Sequence, residues 1–221
     1  MNQNINRKLF LVAVLFLGFL SVKAQDPNRF KSRIKELTET EYSFNPNKKL
    51  IVFAGSSSIL KWEDVADYFP KYNVINNGFG GSHYSDLIYF YNELITKYKP
   101  DYLFIYEGDN DIAAKKNPGK IYKQAKGLVK QIKTDLPKTK VIIIAAKPSI
   151  ARWNLSKQYI KLNRKLEKFC NKQANVDFAD VWKIMLDKNG NVFQDIFIGD
   201  GLHMNKKGYA LWKKEFDKYL E

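Results

Sequence analysis

The stretch Leu50-Ile51-Val52-Phe53-Ala54-Gly55-Ser56-Ser57-Ser58-Ile59 decides how this chain is read. Its first five residues are an unbroken apolar run, the pattern of a strand buried on both faces of a parallel sheet. The run stops at Gly55 and three serines follow, after which Ile59, Leu60 and Trp62 resume an apolar pattern at helical spacing. A serine at the carboxyl end of a central strand, opening a helix, lies where open α/β sheets place their ligands. Backbone N–H groups at a helix start have no intrahelical partners and favour negative charge beside them. The same serines would also serve simply as a helix cap. The residues alone do not choose among Ser56, Ser57 and Ser58.

Outward from this stretch, apolar runs and amphipathic segments alternate. Strands are expected at 50–54, 73–76, 102–106, 141–146 and 176–178, after a short charged helix running from Pro27 to about Glu41. Leu87, Ile88, Tyr91, Leu94, Ile95 and Tyr98 share one side of a helix, as do Ile121, Ala125, Leu128, Val129 and Ile132. A last helix carries Tyr209, Trp212, Phe216 and Leu220 on one face. Strict β–α alternation with short connections predicts an α/β fold: one three-layer α/β/α domain around a five-stranded parallel sheet.

Composition bounds the partners. The 221 residues carry 37 Lys and Arg against 23 Asp and Glu, a formal charge of +14. The lysines are spread over nearly every amphipathic segment and no nucleic-acid-binding motif accompanies them, so no nucleic-acid partner is expected. Arg7 and Lys8 precede an apolar core from Leu9 to Leu20, and Val22-Lys23-Ala24 ends on a small residue. That is the pattern of a secretory signal peptide over 1–24, leaving an exported domain over 25–221, periplasmic or extracellular. Loss of Arg7, Lys8 and Lys23 would lower the charge from +14 to +11. The apolar core is short for a membrane span, so no membrane-integral segment is expected in the mature chain. A single cysteine, Cys170, excludes an internal disulfide. It lies in phase with Tyr159, Leu162 and Leu166 and is read as core.

In such a fold the segments after each strand converge on one rim. After the second strand comes Asn76-Asn77-Gly78-Phe79-Gly80-Gly81-Ser82-His83, a tight turn without the spacing of a dinucleotide or P-loop motif. After the third comes Glu107-Gly108-Asp109-Asn110-Asp111, which three readings fit: oxygen ligands for a metal, a helix-start loop, or an Asn110 amide offered to an oxyanion. After the fourth comes 147–153, ending in Arg152-Trp153, where Trp153 would help wall a substrate. Late in the chain, Asp200 precedes His203 by three residues, a spacing that holds an imidazole in one tautomer. The other histidine, His83, is expected to line the pocket.

Set side by side, these stretches resemble the four blocks of the SGNH hydrolases, the GDSL lipase/esterase family. The blocks are Gly55-Ser56-Ser57, 76–81, Gly108-Asp109-Asn110-Asp111 and Asp200-Gly201-Leu202-His203, in the family's order, and the likeness spans roughly 48–219. It implies a flavodoxin-like arrangement, Ser57 as nucleophile, His203 as general base and Asp200 as its orienting carboxylate. It also implies an oxyanion hole from the N–H of Ser57, the N–H of Gly81 and the amide of Asn110. Ser56 replaces the family's usual Asp in the first block, and His83 stands where Thr is common; both, with Trp153, are expected substrate contacts. The activity implied is hydrolysis of small esters or acylated glycans or lipids, with no metal or organic cofactor. Two other classes fit parts of the pattern: a metal-dependent phosphoesterase using Asp109, Asp111, Asp200 and His203, and an exported glycan- or peptide-binding module without turnover.

Overall fold

The computed structural model describes residues 26–221. The signal peptide expected at 1–24 lies outside them. Pro27–Phe30 forms a 3₁₀ turn leading into helix α1, Lys31–Glu39. Asp26 caps the turn by accepting from Asn28 N–H at 2.9 Å, and Pro27 occupies a position where no N–H is required. Strands β1 (Leu50–Gly55), β2 (Asn73–Gly78), β3 (Tyr102–Tyr106), β4 (Lys140–Ile144) and β5 (Val176–Ala179) then pair in the order β2-β1-β3-β4-β5, every pair parallel. This is the expected five-stranded parallel sheet, with strand ends shifted by one or two residues.

Two layers of helix cover the sheet because both of its faces are apolar. In β1, Val52 and Ala54 face one core while Ile51 and Phe53 face the other, all fully buried. The first core packs α1, α4 (Tyr84–Tyr89), α6 (Pro118–Asp135) and α7 (Ser156–Cys170). Cys170 belongs to it, and burial pushes its thiol up to about 12, so it behaves as a small apolar residue. The second core packs α2 (Ser57–Leu60), α3 (Val65–Tyr68) and α8 (Lys206–Phe216). It is rich in rings: Trp62 stacks on Tyr209 at 4.8 Å, and Phe104 lies 4.7 Å from Phe216. Each such side chain contributes about 1.5–3 kcal/mol on burial, so α2 and α8 are firmly held against one another and the sheet.

The connection after β1 runs through the second layer, whereas the one after β3 enters the first layer through α5 (Asp109–Ala113) and α6. Strand order reverses there, which opens a crevice between the carboxyl ends of β1 and β3. Two expectations are corrected. The segment read as one helix from Leu87 to Tyr98 is α4 followed by a π-helical turn over Asn92–Thr96. Leu220 lies beyond the end of α8, after a 3₁₀ turn over Asp217–Tyr219. Among the described residues no helix is long and apolar enough to cross a membrane.

Candidate active site

Gly55 ends β1 with φ +143°, and a Cβ there would lie 2.1 Å from the Tyr106 carbonyl oxygen. Only glycine fits, and the chain turns out of the sheet at that point. The Ser56 N–H donates to that same Tyr106 oxygen at 3.1 Å, and Ser57 becomes the first residue of α2. Ser56 is the N-cap residue, yet its side chain makes no capping hydrogen bond. Its hydroxyl instead accepts from Asn110 Nδ2 at 2.6 Å.

The Asp200–His203 turn is folded around the carboxylate. Asp200 Oδ1 accepts from the N–H groups of Leu202 and His203, each at 2.9 Å, and Oδ2 lies 2.5 Å from His203 Nδ1. Burial opposes the charge on Asp200, but the His203 ring and these two N–H groups outweigh it and hold the carboxyl well below the usual carboxylate range. A carboxylate on Nδ1 places the proton there and leaves the Nε2 lone pair free. Nε2 lies 2.9 Å from Ser57 Oγ. The structure thus brings Ser57, His203 and Asp200 together.

The glycine loop lies directly over the serine: a Cβ on Gly80 would sit 3.7 Å from Ser57 Cβ. Gly81 adopts φ +82°, a region that favours glycine, and its carbonyl accepts from Arg29 Nη2 at 2.9 Å. Asn110, in α5, donates through Nδ2 to Ser56 Oγ and, at 3.0 Å, to Ser82 O. Ser56, expected beside the substrate, is 1% exposed and faces this amide rather than open solvent. His83 is buried at the start of α4, its N–H donating to Asp86 at 2.9 Å and its Nδ1 3.6 Å from Asp111 Oδ1. Burial, aided by Lys116, lowers His83 to about 4, so it is neutral at neutral pH.

The acidic stretch after β3 is occupied internally. Asp109 Oδ1 accepts from Arg152 Nη1 and the Tyr159 hydroxyl, both at 2.6 Å, and Oδ2 accepts from the Tyr106 hydroxyl at 2.9 Å. Asp111 accepts from Lys116 at 2.9 Å and from the Tyr84 N–H at 3.2 Å. Glu107 accepts from Ser82 Oγ at 2.5 Å; burial, then the Asp111 charge, push its carboxyl well above the usual range. Among the described residues no group of three or more His, Cys, Asp or Glu side chains is placed to hold a metal ion.

Two basic residues of the 147–153 segment also reach the site, and sequence reasoning attached no chemistry to either. Lys147, 1% exposed, donates through Nζ to Leu202 O at 2.6 Å and lies 3.9 Å from Asp109 Oδ2. Arg152 contacts Asp109 and Asn110. Their position after a strand end was the available signal; their partners, 38 to 55 residues away, were not visible. Trp153 is 39% exposed and stacks on Trp182, ring centroids 5.9 Å apart.

The fold is shared with solved structures of low sequence identity. A GDSL-like lipase from Bacteroides thetaiotaomicron superposes with a TM-score of 0.71 at 18% identity, covering 88% of this chain and 96% of that one. A catalytic mutant of an acetylxylan esterase from Geobacillus stearothermophilus gives 0.63 at 14% identity, covering 77% and 93%. No curated protein matches the chain by sequence. The model of the GDSL-like lipase/acylhydrolase family, however, matches residues 53–211, a span that runs from within β1 to within α8 and takes in the serine, the glycine loop, Asn110 and the Asp200–His203 turn. On that match the chain belongs to the GDSL-like lipase/acylhydrolase (SGNH hydrolase) family and is a carboxylic ester hydrolase.

Proposed function

We propose that this chain is a serine esterase that removes short acyl or O-acetyl groups through an acyl-enzyme on Ser57. The observation that carries this reading is the continuous relay of Ser57 Oγ, His203 and Asp200, at 2.9 and 2.5 Å. His203 Nε2 takes the hydroxyl proton as Oγ forms a bond to the ester carbonyl carbon. The resulting oxyanion is held by the N–H groups of Ser57 and Gly81 and by the Asn110 amide, fixed dipoles that need no reorganisation. In the ground state both Asn110 N–H bonds are engaged by Ser56 and Ser82, so the oxyanion shares or replaces one of these acceptors. His203 then gives its proton to the departing alcohol. Water repeats the sequence on the acyl-enzyme, releasing the acid and restoring Ser57.

The preference for small acyl groups is supported by the shallow setting of the relay: the Asp200 side chain is 43% exposed and that of His203 15%. An exposed tryptophan, Trp153, one residue after Arg152 in the chain, is of the residue type that packs on sugar rings, which supports acylated glycans as the natural substrate class. Export to the periplasm or beyond is supported by the pattern at 7–24. The decisive assay compares p-nitrophenyl acetate, butyrate and octanoate with the wild-type chain and Ser57→Ala. Turnover that falls with acyl length and vanishes in the variant is expected. Equal rates in both proteins would move the nucleophile elsewhere, loss of activity on chelation would favour metal-assisted chemistry, and glycan binding without turnover would favour the binding module. The amino-terminal residue of the purified exported protein tests the cleavage after Ala24.

A further inference from the structure

The Asn110 amide has two unlike ends, and its neighbours dictate which way it faces. Oδ1 accepts from Arg152 Nη1 at 3.2 Å, while Nδ2 donates to Ser56 Oγ and Ser82 O. A flipped amide would set its N–H bonds against the guanidinium and its oxygen against the Ser82 carbonyl, donor on donor and acceptor on acceptor. The guanidinium is itself fixed. The Nη1 that contacts Asn110 also donates to Asp109 Oδ1 at 2.6 Å, and Asp109 is anchored by the hydroxyls of Tyr159 and Tyr106. A cation on the amide oxygen also draws electron density from the amide and strengthens its N–H groups as donors.

We infer that Arg152 is a positioning residue for ester hydrolysis, acting through Asn110 Oδ1 to fix and polarise the amide that serves the oxyanion. The inference rests on the reading of Asn110 as a hole donor, and it assigns a function to a segment that the four family blocks do not include. Arg152 touches no reacting atom. Its contribution passes entirely through Asn110, and this separates it from a substrate-binding cation and from a purely structural one.

The test is a double-mutant cycle on p-nitrophenyl acetate with wild type, Arg152→Met, Asn110→Ala and the double variant, with Ser57→Ala as the reference for loss of the nucleophile. Arg152→Met is expected to lower kcat by roughly 10- to 100-fold, a part of what loss of the donor itself costs, with KM changed by less than about threefold. In the Asn110→Ala background the same substitution is expected to lower kcat by less than about threefold, because its route is gone. An equal loss in both backgrounds, an unchanged kcat, or a rise in KM alone overturns the assignment. Ser57→Ala that still turns over would topple the serine mechanism itself, whereas an inactive Ser57→Ala beside an unimpaired Arg152→Met sinks only the role of Arg152. Should Arg152→Met fail to fold, Arg152→Gln replaces it in the cycle. Failure of both to fold makes Arg152 structural and also overturns the inference.

Discussion

The Tyr209 hydroxyl donates to the Ser58 carbonyl at 3.1 Å, joining residues 151 positions apart in the chain. Tyr209 also stacks on Trp62, so the first turns of α8 and the segment after β1 form one packed unit. Ser57 opens α2, and His203 lies in the loop that leads into α8, three residues before its first residue, Lys206. The contact that closes the second core therefore also brings imidazole and hydroxyl to 2.9 Å. Packing and catalysis share the same two segments here, and damage at Trp62 or Tyr209 would reach the relay.

Asp200→Asn is expected to keep the fold and lose most of the rate. The amide would still accept from the N–H groups of Leu202 and His203, but its other end no longer demands an Nδ1 proton, so Nε2 is protonated and faces Ser57 as a donor. A fall in kcat of about 10⁴ is expected, by analogy with the same change in other Ser-His-Asp enzymes. Steady-state kinetics with a thermal melt alongside makes the check; a loss below tenfold would show that Asp200 does not set the tautomer.

Asn110→Ala is expected to lower kcat by about 10²–10³, the usual cost of one hole donor. KM should move little, since the interaction strengthens only as charge develops on the oxygen. The same substitution frees Ser56 Oγ and Ser82 O from their partner, so a small drop in melting temperature should accompany it. A full-rate Asn110→Ala would remove the residue from the mechanism.

How much of this was legible in the sequence depended on how local the deciding physics was. The strand 50–54 was readable because burial on both faces leaves no polar residue in the run, and Asp200 was readable as the partner of His203 because three residues separate them. The break between α4 and the π-helical turn at Asn92–Thr96 was not, since a one-residue register change leaves apolar spacing almost intact. Ser57 could not be told from Ser56 by residues alone. What separates them is that Gly55 turns the chain so that the Ser56 hydroxyl meets Asn110 while the Ser57 hydroxyl meets His203. Arg152 and Lys147 were invisible as site residues because each acts on a partner brought close only by the sheet order.

Gly55→Ala should be among the most damaging small substitutions. The added methyl would sit 2.1 Å from a backbone oxygen of the neighbouring strand, at a φ of +143° that side chains disfavour. Backbone cannot yield there without opening the β1–β3 ladder, which pairs Gly55 with Tyr106. A loss of more than about 3 kcal/mol, or no soluble protein, is expected from strain and clash together. Urea denaturation decides; a cost below about 1 kcal/mol would mean the turn relaxes easily.

Lys147 should give the folded protein a distinctive alkaline response. Burial lowers its amine to about 8, opposed by attraction to Asp109, whereas the unfolded chain holds an ordinary lysine near 10.5. Between those values the unfolded state binds the extra proton, so this group's contribution to unfolding free energy rises with pH across the window. Below pH 8 both states are charged and the burial penalty is at its full size. The wild type should therefore show a steeper rise of stability with pH than Lys147→Met, by up to about 1.4 kcal/mol per pH unit in mid-window. Activity should not follow the same curve at this residue, because a neutral amine still donates to the Leu202 carbonyl and keeps the His203 loop in place. Urea midpoints for both proteins from pH 8 to 10.5 test this; identical slopes would mean that Lys147 titrates alike in the folded and unfolded chain.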